Sequence, residues 1–171
     1  MHKNNHFFES KLWNAAGLFF AVFLLSACMH TTVYHSYVPV SSDGWNKADT
    51  FLYNLPKTSS ADAYTIDVGV RTTDRYKYRS LWLVVEQDLL KKGQFKRDTL
   101  NCPISNEDGV MLGKGFCAYQ QEIPLRSIST GPGGGHTVKI FHIMRSETLY
   151  GIWDVGINVS SNSLQHQFVE K

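Results

Sequence analysis

Hydrophobic and polar residues alternate with period two along most of this chain, and the runs are cut by clusters of Gly, Pro, Asn, Asp and Ser. A helix would repeat its apolar positions every three to four residues, so the pattern predicts strands. In AYTIDVGVR, residues 63–71, Tyr64, Ile66, Val68 and Val70 share one face while Thr65, Asp67, Gly69 and Arg71 share the other. That is a strand with one face on a core and one in water. SLWLVVEQ, residues 80–87, is apolar on both faces through Leu81, Trp82, Leu83, Val84 and Val85. It reads as a central strand covered on both sides, with Trp82 in the core. Further strands are expected over 32–38, 50–55, 95–102, 116–123, 137–144 and 152–160. About eight strands separated by turn signals such as SNEDG suit an all-β, two-sheet β-sandwich, jelly-roll-like, better than an open sheet. Residues 146–149 are expected to form one helical turn between the last two strands, capped by Ser146.

The N-terminal stretch departs from this alternation. Lys3 and Lys11 precede an apolar run of 11 residues, AAGLFFAVFLL, residues 15–25. A helix needs roughly 20 apolar residues to cross about 30 Å of hydrocarbon, so the run fits the hydrophobic region of a signal peptide. Leu25-Ser26-Ala27-Cys28 resembles the lipobox of bacterial lipoproteins, which implies cleavage before Cys28 and a diacylglycerol on its thiol. Several acyl chains on one residue would hold the protein on a membrane, since each buried CH₂ contributes roughly 0.8 kcal/mol. The chain then divides into a signal peptide (1–27), a lipidated tether (28–31), one β-sandwich domain (32–162) and a C-terminal tail (163–171) that is polar and expected to be mobile.

Composition changes this picture little. Loss of Lys3, Lys11 and Glu9 with the signal leaves 15 basic and 14 acidic residues, and a formal charge of +1 gives no reason to expect nucleic acid. A mature chain of 144 residues buries enough surface to fold without a metal or disulfide. Cys102 and Cys117 are left as a pair, in a compartment where disulfides persist. Either they bridge, closing a loop of about 15 residues that constrains the unfolded chain by about 3 kcal/mol, or they are two small buried thiols. Geometry decides between these.

Candidate chemistry is sparse. The run GPGGGHT, residues 131–137, lacks the Lys and the following helix of a phosphate loop, and glycines suit a strand connection there. His30, His35, His136, His142 and His166 show no metal-ligand spacing. There is no GxSxG elbow, and neither Cys102 nor Cys117 has a histidine close in sequence. No catalytic residue, cofactor or metal is therefore expected. RYKYRS, residues 75–80, interleaves Tyr76 and Tyr78 with Arg75, Lys77 and Arg79, giving a basic and an aromatic face at strand spacing. Together with Trp45, in the loop DGWNKAD, these tyrosines form the candidate surface for a partner protein or a glycan; the competing readings have the tyrosines packing at a strand entry with the basic residues as a solvated face, and Trp45 capping one end of the sandwich. In IWDVGINV, Trp153, Val155, Ile157 and Val159 alternate with Asp154, Gly156 and Asn158. Asp154 thus falls on the polar face, as a structural carboxylate held by a turn or by a cation such as Arg145.

Several segments in order resemble the GldH gliding-motility lipoprotein family of the Bacteroidota. They are the Trp45 loop followed by Phe51, the strand ending at Arg71, Tyr76-Lys77-Tyr78-Arg79-Ser80-Leu81-Trp82-Leu83, Asp98-Thr99-Leu100, and Gly109 with Leu112-Gly113-Lys114-Gly115. His142-Ile143-Met144-Arg145 then leads into Leu149-Tyr150-Gly151-Ile152-Trp153-Asp154-Val155-Gly156-Ile157. Cys102 and Cys117 depart from the family pattern. The resemblance implies a non-enzymatic, membrane-anchored accessory protein of the gliding machinery, linked in that phylum to type IX secretion, with envelope proteins as partners. Surface-exported lipoproteins of the phylum carry an acidic run after the lipidated cysteine. Here Met29-His30-Thr31-Thr32 follows Cys28, so the domain is expected to face the periplasm from the outer membrane. A glycan-binding lipoprotein of a nutrient-uptake system is the alternative.

Overall fold

The computed structural model describes residues 31–56, 63–88, 95–129 and 137–161. Residues 28–30 of the tether, Cys28 and His30 among them, the 163–171 tail with His166, and residues 131–136 of the glycine run lie outside them, while Thr31, expected in the tether, begins the first strand. Ten strands form: β1 (Thr31–Pro39), β2 (Trp45–Asn46), β3 (Phe51–Asn54), β4 (Ala63–Thr72), β5 (Ser80–Asp88), β6 (Phe95–Pro103), β7 (Tyr119–Ser129), β8 (Thr137–His142), β9 (Thr148–Leu149) and β10 (Ile152–Ser161). Eight of them make two four-stranded antiparallel sheets, ordered β1-β10-β4-β7 and β3-β8-β5-β6. Counting those eight in chain order, the sheets read 1-8-3-6 and 2-7-4-5, the double Greek-key order of a jelly roll. All eight were legible as alternating or continuously apolar runs, although β7 starts three residues after the expected 116 and β8 ends two before 144.

The core lies between the two sheets. Ile66, Val68 and Val70 of β4 and Val155, Ile157 and Val159 of β10 face Leu81, Leu83 and Val85 of β5 and Val138 and Ile140 of β8. Each strand contributes every second residue, as its pleat requires. Tyr53 crosses the interior and its hydroxyl donates to the Val155 carbonyl at 2.7 Å, tying the sheets together.

Three expectations need correction. Residues 146–149 form no helical turn: the Ser146 hydroxyl donates to the Thr148 carbonyl at 2.9 Å, and Thr148–Leu149 is strand β9, paired with β2 through Trp45↔Leu149 and Asn46↔Thr148. A helical turn would satisfy only local groups, whereas this pairing also seats Trp45 and Leu149 in the core. Trp82 is not a core residue. β5 is central, but the ring is 43% exposed, because it stands on the outer face, where it pairs across to Asn101 of β6. Cys102 and Cys117 are not bridged: Cys102 is fully buried and Cys117 exposed, both as free thiols.

Candidate interaction surface

Two of the three aromatic residues expected at a partner or glycan surface belong to the interior. Trp45 has no exposed surface and Tyr76 is 5% exposed, while Tyr78 stands out at 43% against the edge of the Tyr76 ring. The sequence DGWNKAD explains the fate of Trp45. Asn46 and Asp49 close the turn on themselves, Ala48 N–H donating to Asn46 Oδ1 at 2.9 Å and Asn46 N–H to Asp49 Oδ2 at 3.2 Å. Such side-chain turns fix short loops without a helix. The turn aims the indole inward, where it stacks at a tilt on Phe51 and edge-on to His142 and donates its N–H to the Asp49 carbonyl at 3.2 Å. Trp45 is therefore the cap over one end of the sandwich. Tyr76 is pinned similarly, its hydroxyl donating to the Ser80 carbonyl at 3.0 Å.

The exposed aromatics at this end are ones the alternation hid. At the start of β10, Ile152 pairs with Thr72 and Asp154 with Arg71, so Trp153 is an extra residue with no partner on β4. This β-bulge breaks the period-two phase, and bulges commonly re-aim a side chain. Ile152 and Val155 both point inward, while Trp153 turns out and is 55% exposed. Just before it, Gly151 holds φ at +85°, and a Cβ there would strike the Tyr76 backbone, so glycine is required for the turn. The turn leaves Tyr150 56% exposed. Backbone bonds hold both flanks, with Val40 N–H donating to the Trp153 carbonyl at 2.9 Å and Thr73 N–H to the Gly151 carbonyl at 2.8 Å.

These elements line a cleft of about 340 Å³ between the turn after β1 (Val40, Ser41, Ser42, Gly44), the loop after β4 (Thr73, Arg75) and the start of β10 (Tyr150 to Trp153). A second depression of about 390 Å³, lined by Arg75, Lys77 and Tyr150, shares two of its residues. Both Arg75 and Lys77 are exposed, and neither forms an ion pair among the described residues. The surface thus combines two protruding rings with two uncompensated cations. Neither Tyr150 nor Trp153 was singled out as a contact residue in the sequence; only the glycine between two aromatics hinted at a turn that presents them.

Asp154 is structural, with a different partner from the one expected. Its Oδ1 accepts from Arg71 Nε at 2.8 Å, across the β10–β4 register, rather than from Arg145. Burial raises the Asp154 pKa above the usual carboxylate value, and Arg71 pulls it back. The Arg71 guanidinium also lies 4.6 Å over the Tyr37 ring. Tyr37 in turn lies across Gly69 and Gly156, where a Cβ on either glycine would collide with the ring. This half of the outer face is filled by the protein's own groups.

No set of titratable groups suggests turnover. Burial pushes the Cys102 thiol up to about 12, which leaves it unreactive. His142 is buried edge-on to Trp45, with neither ring nitrogen hydrogen-bonded among the described residues. Among those residues, no group of three His, Cys, Asp or Glu side chains is placed to hold a metal ion.

Comparison with known proteins places the sequence in a family. Residues 32–159 match the family described as GldH lipoprotein. The gliding motility lipoprotein GldH of Flavobacterium johnsoniae is 28% identical over 156 residues, covering 87% of this chain and 97% of that protein. A gliding motility lipoprotein GldH homolog of Christiangramia forsetii is 25% identical over 152 residues, 84% of this chain and 92% of its own. A solved structure of infectious bursal disease virus, Gx strain, overlaps 78% of this chain and 39% of its own at 10% identity and a TM-score of 0.20, a likeness that carries no argument. The family match runs through the sandwich from β1 to β10, and the chain belongs to the GldH lipoprotein family.

Proposed function

We propose that this protein is a non-enzymatic, membrane-anchored lipoprotein that acts through protein contacts in assembling the gliding or type IX secretion machinery of the envelope. The observation that carries this reading is the family match over 32–159, together with a gliding motility relative aligned along 97% of its length. The Leu25-Ser26-Ala27-Cys28 sequence supports an anchor on Cys28. The absence of acidic residues directly after Cys28 supports a domain facing the periplasm from the outer membrane. Unreactive Cys102, unpaired with any base, and an Asp154 committed to Arg71 both favour contact over catalysis.

Deletion of the gene in its own host, followed by assays of secretion and surface spreading, tests the role. Loss of either on deletion, restored by the full chain, is expected, and wild-type secretion and spreading in the deletion strain would contradict it. Labelled palmitate should enter the wild-type protein and not Cys28→Ala.

A further inference from the structure

We propose that the cleft around Tyr150 and Trp153 is a docking site for an acidic polypeptide segment carrying aromatic or apolar side chains, presented by an envelope partner. This rests on the reading that the protein works through contacts, and it names where and with what chemistry.

Charge and surface argue together. Exposed Trp and Tyr beside Arg is the composition of interface hot spots, because the rings supply large rigid area and the guanidinium binds carboxylates bidentately. Here the bulge at Trp153 and the left-handed Gly151 turn hold Trp153 55% and Tyr150 56% exposed, on backbone that is hydrogen-bonded on both flanks. The rings are thus displayed by a rigid frame. Arg75 and Lys77 line the adjoining depression with no carboxylate among its walls. Asp43 and Asp74 are near in sequence but line neither depression. Among the other described cations, Arg71 is answered by Asp154, Arg79 by Glu107, Lys96 by Asp98 and Arg97 by Glu86, whereas exposed Lys47, Lys114 and Arg145 form no ion pair but line neither of these two depressions.

Connectivity favours a polypeptide over a lipid headgroup. β1 starts at Thr31, opposite Ser161, and ends at Pro39, opposite Asp154 and next to the cleft's Val40. Nine strand residues at about 3.3 Å each put roughly 30 Å between the point where the tether joins the sandwich and the cleft. Three residues from Cys28 to Thr31 reach at most about 10 Å. An anchor on Cys28 would therefore fasten the end of the sandwich opposite the cleft, roughly 30 Å away along β1.

The test uses the full-length lipoprotein in detergent micelles and a random Glu–Tyr copolymer as probe, with a Lys–Tyr copolymer as its charge-inverted control. Binding is read by fluorescence anisotropy. The Glu–Tyr polymer should bind and the Lys–Tyr polymer should not, with affinity falling as salt screens the exposed charges. Arg75→Glu with Lys77→Glu, Trp153→Ala and Tyr150→Ser should each weaken binding about tenfold or more. The same charge change at exposed Lys47 and Lys114, outside the rings' cleft, should leave it within about twofold. Unchanged melting temperatures establish that the variants fold. Equal loss in both charge-reversal pairs, or loss in none, overturns the proposal. Binding of a neutral oligosaccharide that depends on Trp153 but not on Arg75 and Lys77 overturns it in favour of a sugar platform. Self-association abolished by Trp153→Ala overturns it in favour of a second copy. None of these readouts depends on gliding or secretion, so failure here leaves the deletion experiment free to stand.

Discussion

Trp45 and Trp153 sit at the same end of the sandwich and have opposite fates. Trp45 pairs through β2 with Leu149, the chain neighbour of Tyr150, and vanishes into the core, whereas Trp153 is pushed out by a bulge that leaves Ile152 and Val155 to fill the interior. Residue type does not separate them, since both are tryptophans at the start of a strand that follows a turn. Their partners do. A self-closing Asn46–Asp49 turn folds Trp45 onto Phe51 and His142, while the extra residue in β10 has no cross-strand place to occupy. The lesson is that exposure of Trp153 is imposed by backbone register rather than by residue type.

The largest expected effect breaks this contrast directly. Trp45→Ala should cost about 3–5 kcal/mol of unfolding free energy, as truncation of a fully buried large aromatic does, and Trp153→Ala less than about 1 kcal/mol, both by urea titration. Comparable losses would mean that Trp153 is a packing residue. Next, β10 is open at its start but filled three residues after Trp153, where Tyr37 occupies the space over Gly156. Gly156→Val should cost about 1–3 kcal/mol by overpacking, and Tyr37→Ala in the same chain should recover part of it, a coupling that a double-mutant cycle reads. A smaller effect is expected at Asp154. Its pKa direction is upward, so Arg71 does not fully offset the burial of the carboxylate. Asp154→Asn should then change stability by less than about 1 kcal/mol, while Arg71→Met, which strands a largely buried charge, should cost more, about 1–3 kcal/mol.

The mildest effect is a pH dependence from the buried partner of Trp45. Burial lowers the pKa of His142, with the polar backbone of Trp45 and the charges of Glu147 and Asp49 pulling the other way and Lys47 adding to the fall. The unfolded chain, with a histidine near about 6.5, takes up a proton before the folded one does. Stability conferred by neutral His142 is whole above that value and is lost as pH falls from it toward the folded pKa. Urea midpoints between pH 7.5 and 5 should drop in the wild type and flatten in His142→Leu, and an equal drop in both would assign the effect elsewhere.

The sequence disclosed the parts of this fold that repeat. Alternation in residues 63–71 marked β4 and a bounded apolar run in residues 80–87 marked β5, and the eight long strands were visible from such local pattern. β2 and β9 escaped because two residues carry no period, and their pairing joins segments about a hundred residues apart. Trp82 was misread since an apolar run does not say whether a second layer covers it. Arg145 stood near Asp154 in the chain, but the β10–β4 register, 83 residues apart, delivered Arg71 instead. Trp153 was counted with Val155 and Ile157 because a bulge leaves no mark in composition. Of the site, Tyr76 and Tyr78 drew attention to the right loop, whose Arg75 and Lys77 do line the open surface, yet the tyrosine expected to be displayed with them, Tyr76, supports the turn from beneath.

Site-specific photo-crosslinking in cells of the host tests most directly that the register-exposed rings are the contact face. A photoreactive phenylalanine at position 153 is compared with the same residue at Phe95, which is 54% exposed on β6 away from the cleft lining. Discrete protein adducts from position 153 and none from position 95 are the expected result, and adducts from position 95 alone, or equally from both, would contradict it.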